Sequence, residues 1–221
     1  MTALIGISGK IGCGKSTLSS MLAERLGWRV MSFGGLLKDE VASVFQFPRE
    51  WCDTPEGKRR KVQVPPDLHR TGAPGSATVR QLLQYWGTDV CRAKDPDYWT
   101  RLLAERLELG SALCAKVGHP SGSIVDDVRF PNEARMILGR GGILIRLDPY
   151  PGWEAGPGAE HASETALDEW GQWTVRLAPM LGELGLVAGV VTHMVTVDAE
   201  LKVLIGTIPG AEIRTFGWSQ Q

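Results

Sequence analysis

Apolar residues along this chain fall into two alternating rhythms. Some form short unbroken runs, and others recur three and four positions apart. That alternation predicts strands and helices in turn, and hence a parallel sheet covered on both faces. Residues 3–7 read as a buried strand, and 17–26 as a helix with Leu18, Met21, Leu22 and Leu26 on one face. A second short strand is expected at 28–33. A helix follows at 36–47, from the spacing of Leu37, Val41, Val44 and Phe45, and Pro48 closes it. The chain then changes character. Pro48, Pro55, Pro65, Pro66 and Pro74 surround a Lys58-Arg59-Arg60-Lys61 run, so 48–76 is expected to be a mobile excursion from the core with no strand. Helices are expected at 79–91 and 96–109, the second announced by Asp95-Pro96. Residues 123–128 form a buried strand ending in acids, 131–138 a short helix, and 142–147 another strand. Residues 149–158 are rich in Gly and Pro and predict a mobile loop. A helix is expected at 162–170, a last strand at 190–197 and a closing helix at 199–208, whereas 171–189 shows no clear period. The class is α/β, a three-layer α/β/α molecule with a parallel five-stranded sheet.

The bulk properties narrow the picture. In 221 residues, 43% hydrophobic content is enough for one large domain with a sizeable core. A net charge of −1 gives no global basic field, so direct nucleic-acid binding is not expected. No apolar stretch nears the roughly 20 residues that span a bilayer, so no membrane partner is expected. Lys10 interrupts the N-terminal apolar run, so no leader peptide is expected. The four cysteines, Cys13, Cys52, Cys91 and Cys114, show neither a C-x-x-C pair nor metal-type spacing, which fits a reduced, cytoplasmic protein.

Residues Gly9-Lys10-Ile11-Gly12-Cys13-Gly14-Lys15-Ser16 spell G-x-x-x-x-G-K-S between a predicted strand and a predicted helix, the context this phosphate-binding loop requires. Gly9, Gly12 and Gly14 let backbone N–H groups, including those of Cys13 and Thr17, curl around a phosphate at a helix N-terminus. Lys15 would reach the outer phosphates of ATP, and Ser16 would ligate Mg²⁺. The loop, Ser32-Phe33, Asp126-Asp127 and Arg146–Asp148 all fall at predicted C-terminal strand ends, the rim where such folds bind ligands.

Asp126 and Asp127 close a buried strand beside that loop. Alternation lets only one of them face Mg²⁺ directly, and Asp127 is assigned that role here; the competing reading has both acids cap the next turn. Arg80, Arg92, Arg129, Arg135 and Arg146 stand near the rim. A phosphate acceptor needs cations, since its oxygen is already anionic, whereas a hydroxyl acceptor needs a general base. Asp39 and Glu40 are the candidate bases for such a hydroxyl kinase, of dephospho-coenzyme A for example; a third reading is a nucleotide-binding switch or assembly ATPase, which would need a water-positioning residue and a partner surface that the sequence does not identify. His161, Ser163 and Glu164 form H-x-S-E after the flexible loop, either as a polar ligand-contacting cluster or with Ser163 as a helix cap.

Together Ser8–Thr17 (SGKIGCGKST), Phe33–Val41 (FGGLLKDEV), Arg80–Trp99 (RQLLQYWGTDVCRAKDPDYW), Asp127–Ala134 (DVRFPNEA) and His161–Glu164 (HASE) resemble the deoxynucleoside monophosphate kinases of tailed bacteriophages, a branch of the P-loop nucleoside monophosphate kinases. The pieces come in the family's order, and the chain departs from its pattern at Gly34 and Leu36. The resemblance implies a P-loop NTPase fold with a mobile insert and lid. In it 1–47, 110–148 and 190–221 form the core, 48–109 binds the acceptor and 149–189 is lid-like. It implies phosphoryl transfer from ATP, with Mg²⁺, to a deoxynucleoside monophosphate in the host cytoplasm. Lys15, Arg92, Asp127, Arg129 and Arg146 would serve the transfer. Lys38, Arg80, Gln84, Thr88, Arg92, Trp99 and Arg129 would face the acceptor, and Arg146, His161, Ser163 and Glu164 the closing wall. Whether the chain forms a homodimer stays open.

Overall fold

Seven apolar or small residues in a row make β1 (Ala3–Gly9) the strand around which the parallel sheet is built. The computed structural model describes residues 3–66, 68, 75–118, 122–150, 152–154, 160, 162–179, 182–196 and the backbone of 212–213. These divide into two compact units, one of 33–105 and one of the remainder.

In the first unit β1 lies between β5 (Gly122–Val125) and β6 (Ile143–Leu147), with β2 (Arg29–Met31) beyond β5 and β7 (Val175–Leu177) beyond β6. These five strands are parallel, and β8 (Glu212–Ile213) adds an antiparallel edge to β7. β5 and β6 are buried along their whole length, as unbroken apolar runs covered on two sides must be. Alternation along β1 shows the two layers. Ile5 and Ile7 join Leu18 and Leu22 of α1 (Lys15–Leu26) and Val187 and Val191 of α8 (Leu184–Thr196) in one apolar cluster. Gly6 faces the other way, and a Cβ there would stand 3.0 Å from Ile137 of α6 (Pro131–Gly139). The expected α/β/α architecture and its five parallel strands are therefore present.

Two expectations about this unit are corrected. A last strand is expected at 190–197, yet α8 runs helically from Leu184 to Thr196. Burial of Val187, Ala188 and Val191 against α1 outweighs the β preference of branched residues. The fifth parallel strand is β7, inside the stretch where no period could be read. Only three residues long, it buries Val175 and Leu177 and exposes Arg176. The helix expected at 162–170 is a single turn, α7 (Ala162–Thr165), followed by turns. The closing helix expected at 199–208 lies outside the described residues.

The second unit holds α2 (Phe33–Val44), a 3-10 turn (Arg49–Cys52), α3 (Pro55–Arg59), β3 (Lys61–Gln63), β4 (Ser76–Thr78), α4 (Val79–Gln84), a π-helical stretch (Tyr85–Arg92) and the start of α5 (Tyr98–Val117). β3 and β4 pair antiparallel, Lys61 opposite Thr78, which corrects the strandless reading of 48–76. The hairpin buries Val62 and Ala77 against Val41, Phe45, Val79 and Leu82. Thr54 caps α3 through Gly57 N–H at 3.0 Å, and Thr78 and Gln81 form a capping box on α4.

Candidate active site

The phosphate loop joins β1 to α1 as the motif requires. Gly14 adopts the left-handed conformation at the N-cap of α1 (φ 92°), and Gly12 is also left-handed (φ 79°). Gly9 is needed for space, since a Cβ there would meet Leu147 O at 2.5 Å and Cys13 Sγ at 2.6 Å. Lys15 donates to the carbonyls of Gly9 (2.8 Å) and Lys10 (2.7 Å) at the base of the loop. Burial draws its pKa down, and Arg129 and Arg146 lower it further while Cys13 and Glu164 oppose them. Burial pushes the Cys13 thiol up, Lys15 and Arg146 oppose it, and Glu164 adds to it. Lys15, Arg129, Arg146 and Glu164 thus lie together at this loop.

The rim is held by buried acids. Arg129 follows β5, where Val128 N–H bonds to Ile7 O (3.1 Å) and Glu133 accepts from the N–H groups of Arg129 (2.8 Å) and Phe130 (3.1 Å). Its guanidinium pairs with Glu164 and lies 3.5 Å from Ser163 Oγ. Glu164 also accepts from Ile11 N–H at 2.8 Å, and its own carbonyl accepts from Lys10 Nζ at 2.6 Å. Arg146 is 6% exposed. It donates to Ser8 Oγ (3.3 Å) and Asp168 (3.2 Å), pairs with Asp148 (3.5 Å) and stacks on Trp173 (5.5 Å). A cleft of about 250 Å³ opens beside it, lined also by Lys10, Leu167 and Arg176. At the end of β5, Asp126 Oδ2 lies 3.4 Å from Ser19 Oγ, which bonds to Ser16 O at 3.0 Å, so this strand end stands beside the start of α1. Asp127 is half-buried, and both acids have polar partners. His161 lies outside the described residues.

Sequence reasoning gave no site role to Lys10, Asp168 or Glu133. Asp168 carried one signal, its spacing of four from Glu164. Glu133 carried another, at the third helical position after Phe130. Lys10 was hidden inside a motif that leaves its position unspecified.

In the second unit, the segment richest in motif residues takes the π-helical form, often associated with function. Thr88 and Arg92 lie on it, and Arg80 and Gln84 on α4 just before. Trp99 is 2% exposed and donates to Gly87 O at 3.2 Å, so it supports this stretch from within the core. Lys38 pairs with Asp53 at 3.0 Å. Lys58 is lowered by burial and then by Lys38 and Arg80, which marks the three cations as neighbours. The two candidate bases are occupied. Asp39 pairs with Arg49 at 2.6 Å, and Glu40 accepts from Trp86 Nε1 (2.8 Å) and Tyr98 OH (2.9 Å).

No protein-family model matches the chain. It is similar to a protein of Acanthamoeba polyphaga mimivirus that carries the provisional name deoxynucleotide monophosphate kinase. The two are 31% identical over 149 residues, 66% of this chain and 73% of the mimivirus protein. Among solved structures, shikimate kinase from Acinetobacter baumannii in complex with shikimate aligns over 88% of this chain and 93% of its own, at 11% identity and a TM-score of 0.38. Shikimate kinase from Bacteroides thetaiotaomicron aligns over 76% and 79%, at 15% identity and a TM-score of 0.31. Among the described residues no helix is long and apolar enough to cross a membrane.

Proposed function

The chain belongs to the family of P-loop kinases that includes the mimivirus protein, and from that premise we propose that it transfers the γ-phosphoryl group of ATP to a deoxynucleoside monophosphate. The observation that carries this reading is the balance of charge at the phosphate loop. Cations converge there, while Asp148, Glu164 and Asp168 beside them are each paired with a cation. Acids so engaged are poor general bases, and Asp39 and Glu40 are engaged as well. A phosphate acceptor needs no base.

An acceptor phosphate oxygen attacks the γ-phosphorus in line. The bond to the β–γ bridging oxygen breaks, ADP leaves, and a diphosphate forms. Lys15 and the loop N–H groups hold the outer phosphates of ATP, and Arg129 and Arg146 offset the charge of the transferred group. Ser16 and Asp127 would hold Mg²⁺, whose charge neutralises the phosphate oxygens. Their all-oxygen donor set suits a hard cation, whereas the acid that reaches α1, through Ser19 at 3.4 Å, is the neighbouring Asp126. Lys38, Arg80, Gln84, Thr88 and Arg92 bind the acceptor, joined by His161 and Ser163, and Trp99 shapes their support.

Purified protein incubated with ATP, Mg²⁺ and each deoxy- or ribonucleoside monophosphate in turn tests the reading through ADP release. Stimulation by a deoxynucleoside monophosphate, absent in Lys15→Ala, is expected. No stimulation by any monophosphate refutes it, and steady hydrolysis without an acceptor favours a nucleotide-driven switch.

A further inference from the structure

We propose that Glu164 is a positioning residue for the transfer, a buried strut that fixes the Arg129 guanidinium and the phosphate-loop backbone at Ile11 together. The inference rests on the phosphotransferase reading above.

The Glu164 side chain is 3% exposed. A carboxylate so placed is costly unless its oxygens are satisfied, and here they are. Oε2 accepts from Ile11 N–H at 2.8 Å, and Oε1 pairs with Arg129 Nη1. Both oxygens are therefore committed to the protein's own groups, which separates Glu164 from a ligand-contacting role. Arg129 is gripped twice. Glu133, 1% exposed, holds its backbone N–H, and Glu164 holds its guanidinium. An arginine side chain otherwise samples many rotamers; Glu133 fixes the backbone it hangs from, and Glu164 selects one rotamer. Nε and Nη2 of Arg129 have no partner among the described residues, and its side chain remains 30% exposed. The selected rotamer can thus still present donors to a phosphoryl oxygen. The Glu164 carbonyl adds a third tie through Lys10 Nζ at 2.6 Å, so α7 is joined to two successive loop residues. The phosphate loop and the arginine are consequently set by one side chain, and their separation by its length.

Glu164→Gln tests this directly. Glutamine keeps an oxygen for Ile11 N–H but offers Arg129 no charge. The expected result is a fall in kcat of roughly 10- to 100-fold, as for a misplaced catalytic group, with the KM for ATP and the melting temperature little changed. Adding Arg129→Ala to Glu164→Gln should cost much less than Arg129→Ala costs alone, because the two act as one unit. Unchanged kcat in Glu164→Gln, or effects that multiply independently in the double variant, would overturn the strut. Glu164→Asp, with the charge kept and one methylene removed, carries the same cycle if the glutamine variant fails to fold. Should the unaltered protein transfer to no monophosphate, the parent reading fails. The strut is then read by NMR of the Arg129 side chain, where loss of a dispersed Nε–H resonance in Glu164→Gln upholds it and an unchanged resonance overturns it.

Discussion

Gly14→Ala is the most informative single perturbation of the loop, because its cost can be worked from two separate terms. Gly14 and Gly27 cap opposite ends of α1, and both are left-handed, at φ 92° and 67°. An alanine in that region costs about 1–2 kcal/mol from its Cβ alone. At Gly27 nothing lies within 4 Å of a new Cβ, so Gly27→Ala should show only that term. At Gly14 the Cβ would stand 2.7 Å from Leu184 Cδ1 at the start of α8, well inside ordinary contact. Displacing that leucine tip adds about 1–2 kcal/mol, within the usual range for overpacking. Gly14→Ala should therefore cost about 2–4 kcal/mol, which lowers Tm by roughly 4–16 °C, against roughly 2–8 °C for Gly27→Ala. Thermal melts followed by circular dichroism measure both. Only the first should weaken ATP binding, since it alone turns the N–H groups of the phosphate loop. Equal losses in the two variants would refute the Leu184 contact, and no loss in either would refute the left-handed caps.

Arg92→Ala should raise KM for the monophosphate about 10- to 100-fold, the worth of one hydrogen bond to a charged group, and leave KM for ATP near its original value. The reverse pattern in steady-state kinetics would remove Arg92 from the acceptor side. Glu40→Ala strands the Trp86 indole N–H and the Tyr98 hydroxyl, and should destabilise by about 2–4 kcal/mol in urea unfolding. Glu40→Gln, which keeps an acceptor, should cost less, and equal costs would contradict the two-donor geometry. Burial first and then Glu40 push the Tyr98 hydroxyl up to about 12, so one of the chain's three tyrosines should ionise last in an ultraviolet absorbance titration. The folded state holds that proton while an unfolded tyrosine loses it near pH 10. Its stabilising share is complete below pH 10 and is lost as pH rises towards 12. Three tyrosines ionising together near pH 10 would refute that environment.

Long apolar runs were legible in the sequence because burial on both faces leaves little choice of residue. β1, β5 and β6 are such runs, and each lies where the pattern puts it. What escaped was decided by packing at a distance. Val187, Ala188 and Val191 are helical because α1 covers them, and no window of local sequence contains α1. β3 and β7 are three residues each, too short to establish a period. The candidate site divides along the same line. The loop and its lysine are written contiguously, and so were readable. Glu164 and Asp168 matter through partners about 150 residues earlier, and only the fold brings them to Lys10 and Ile11.

The acids around the loop explain how so cationic a site stays ordered. Lys10 and Arg146 share Asp168, Arg146 also takes Asp148, and Arg129 takes Glu164. Each is thereby aimed before any phosphate arrives, and orientation in advance is what lets a fixed charge stabilise a transition state without reorganising. Lys15 is treated differently. Its ammonium is met by two carbonyls, and no carboxylate among the described residues contacts it. Carbonyl dipoles orient a cation without neutralising it, and burial with two nearby arginines holds its pKa down. A phosphate oxygen is the stronger acceptor, so it displaces those carbonyls at little cost and draws the proton affinity of Lys15 back up. On the proposed reading, the three paired cations set the shape of the site, and Lys15 contributes the charge that favours a polyphosphate there.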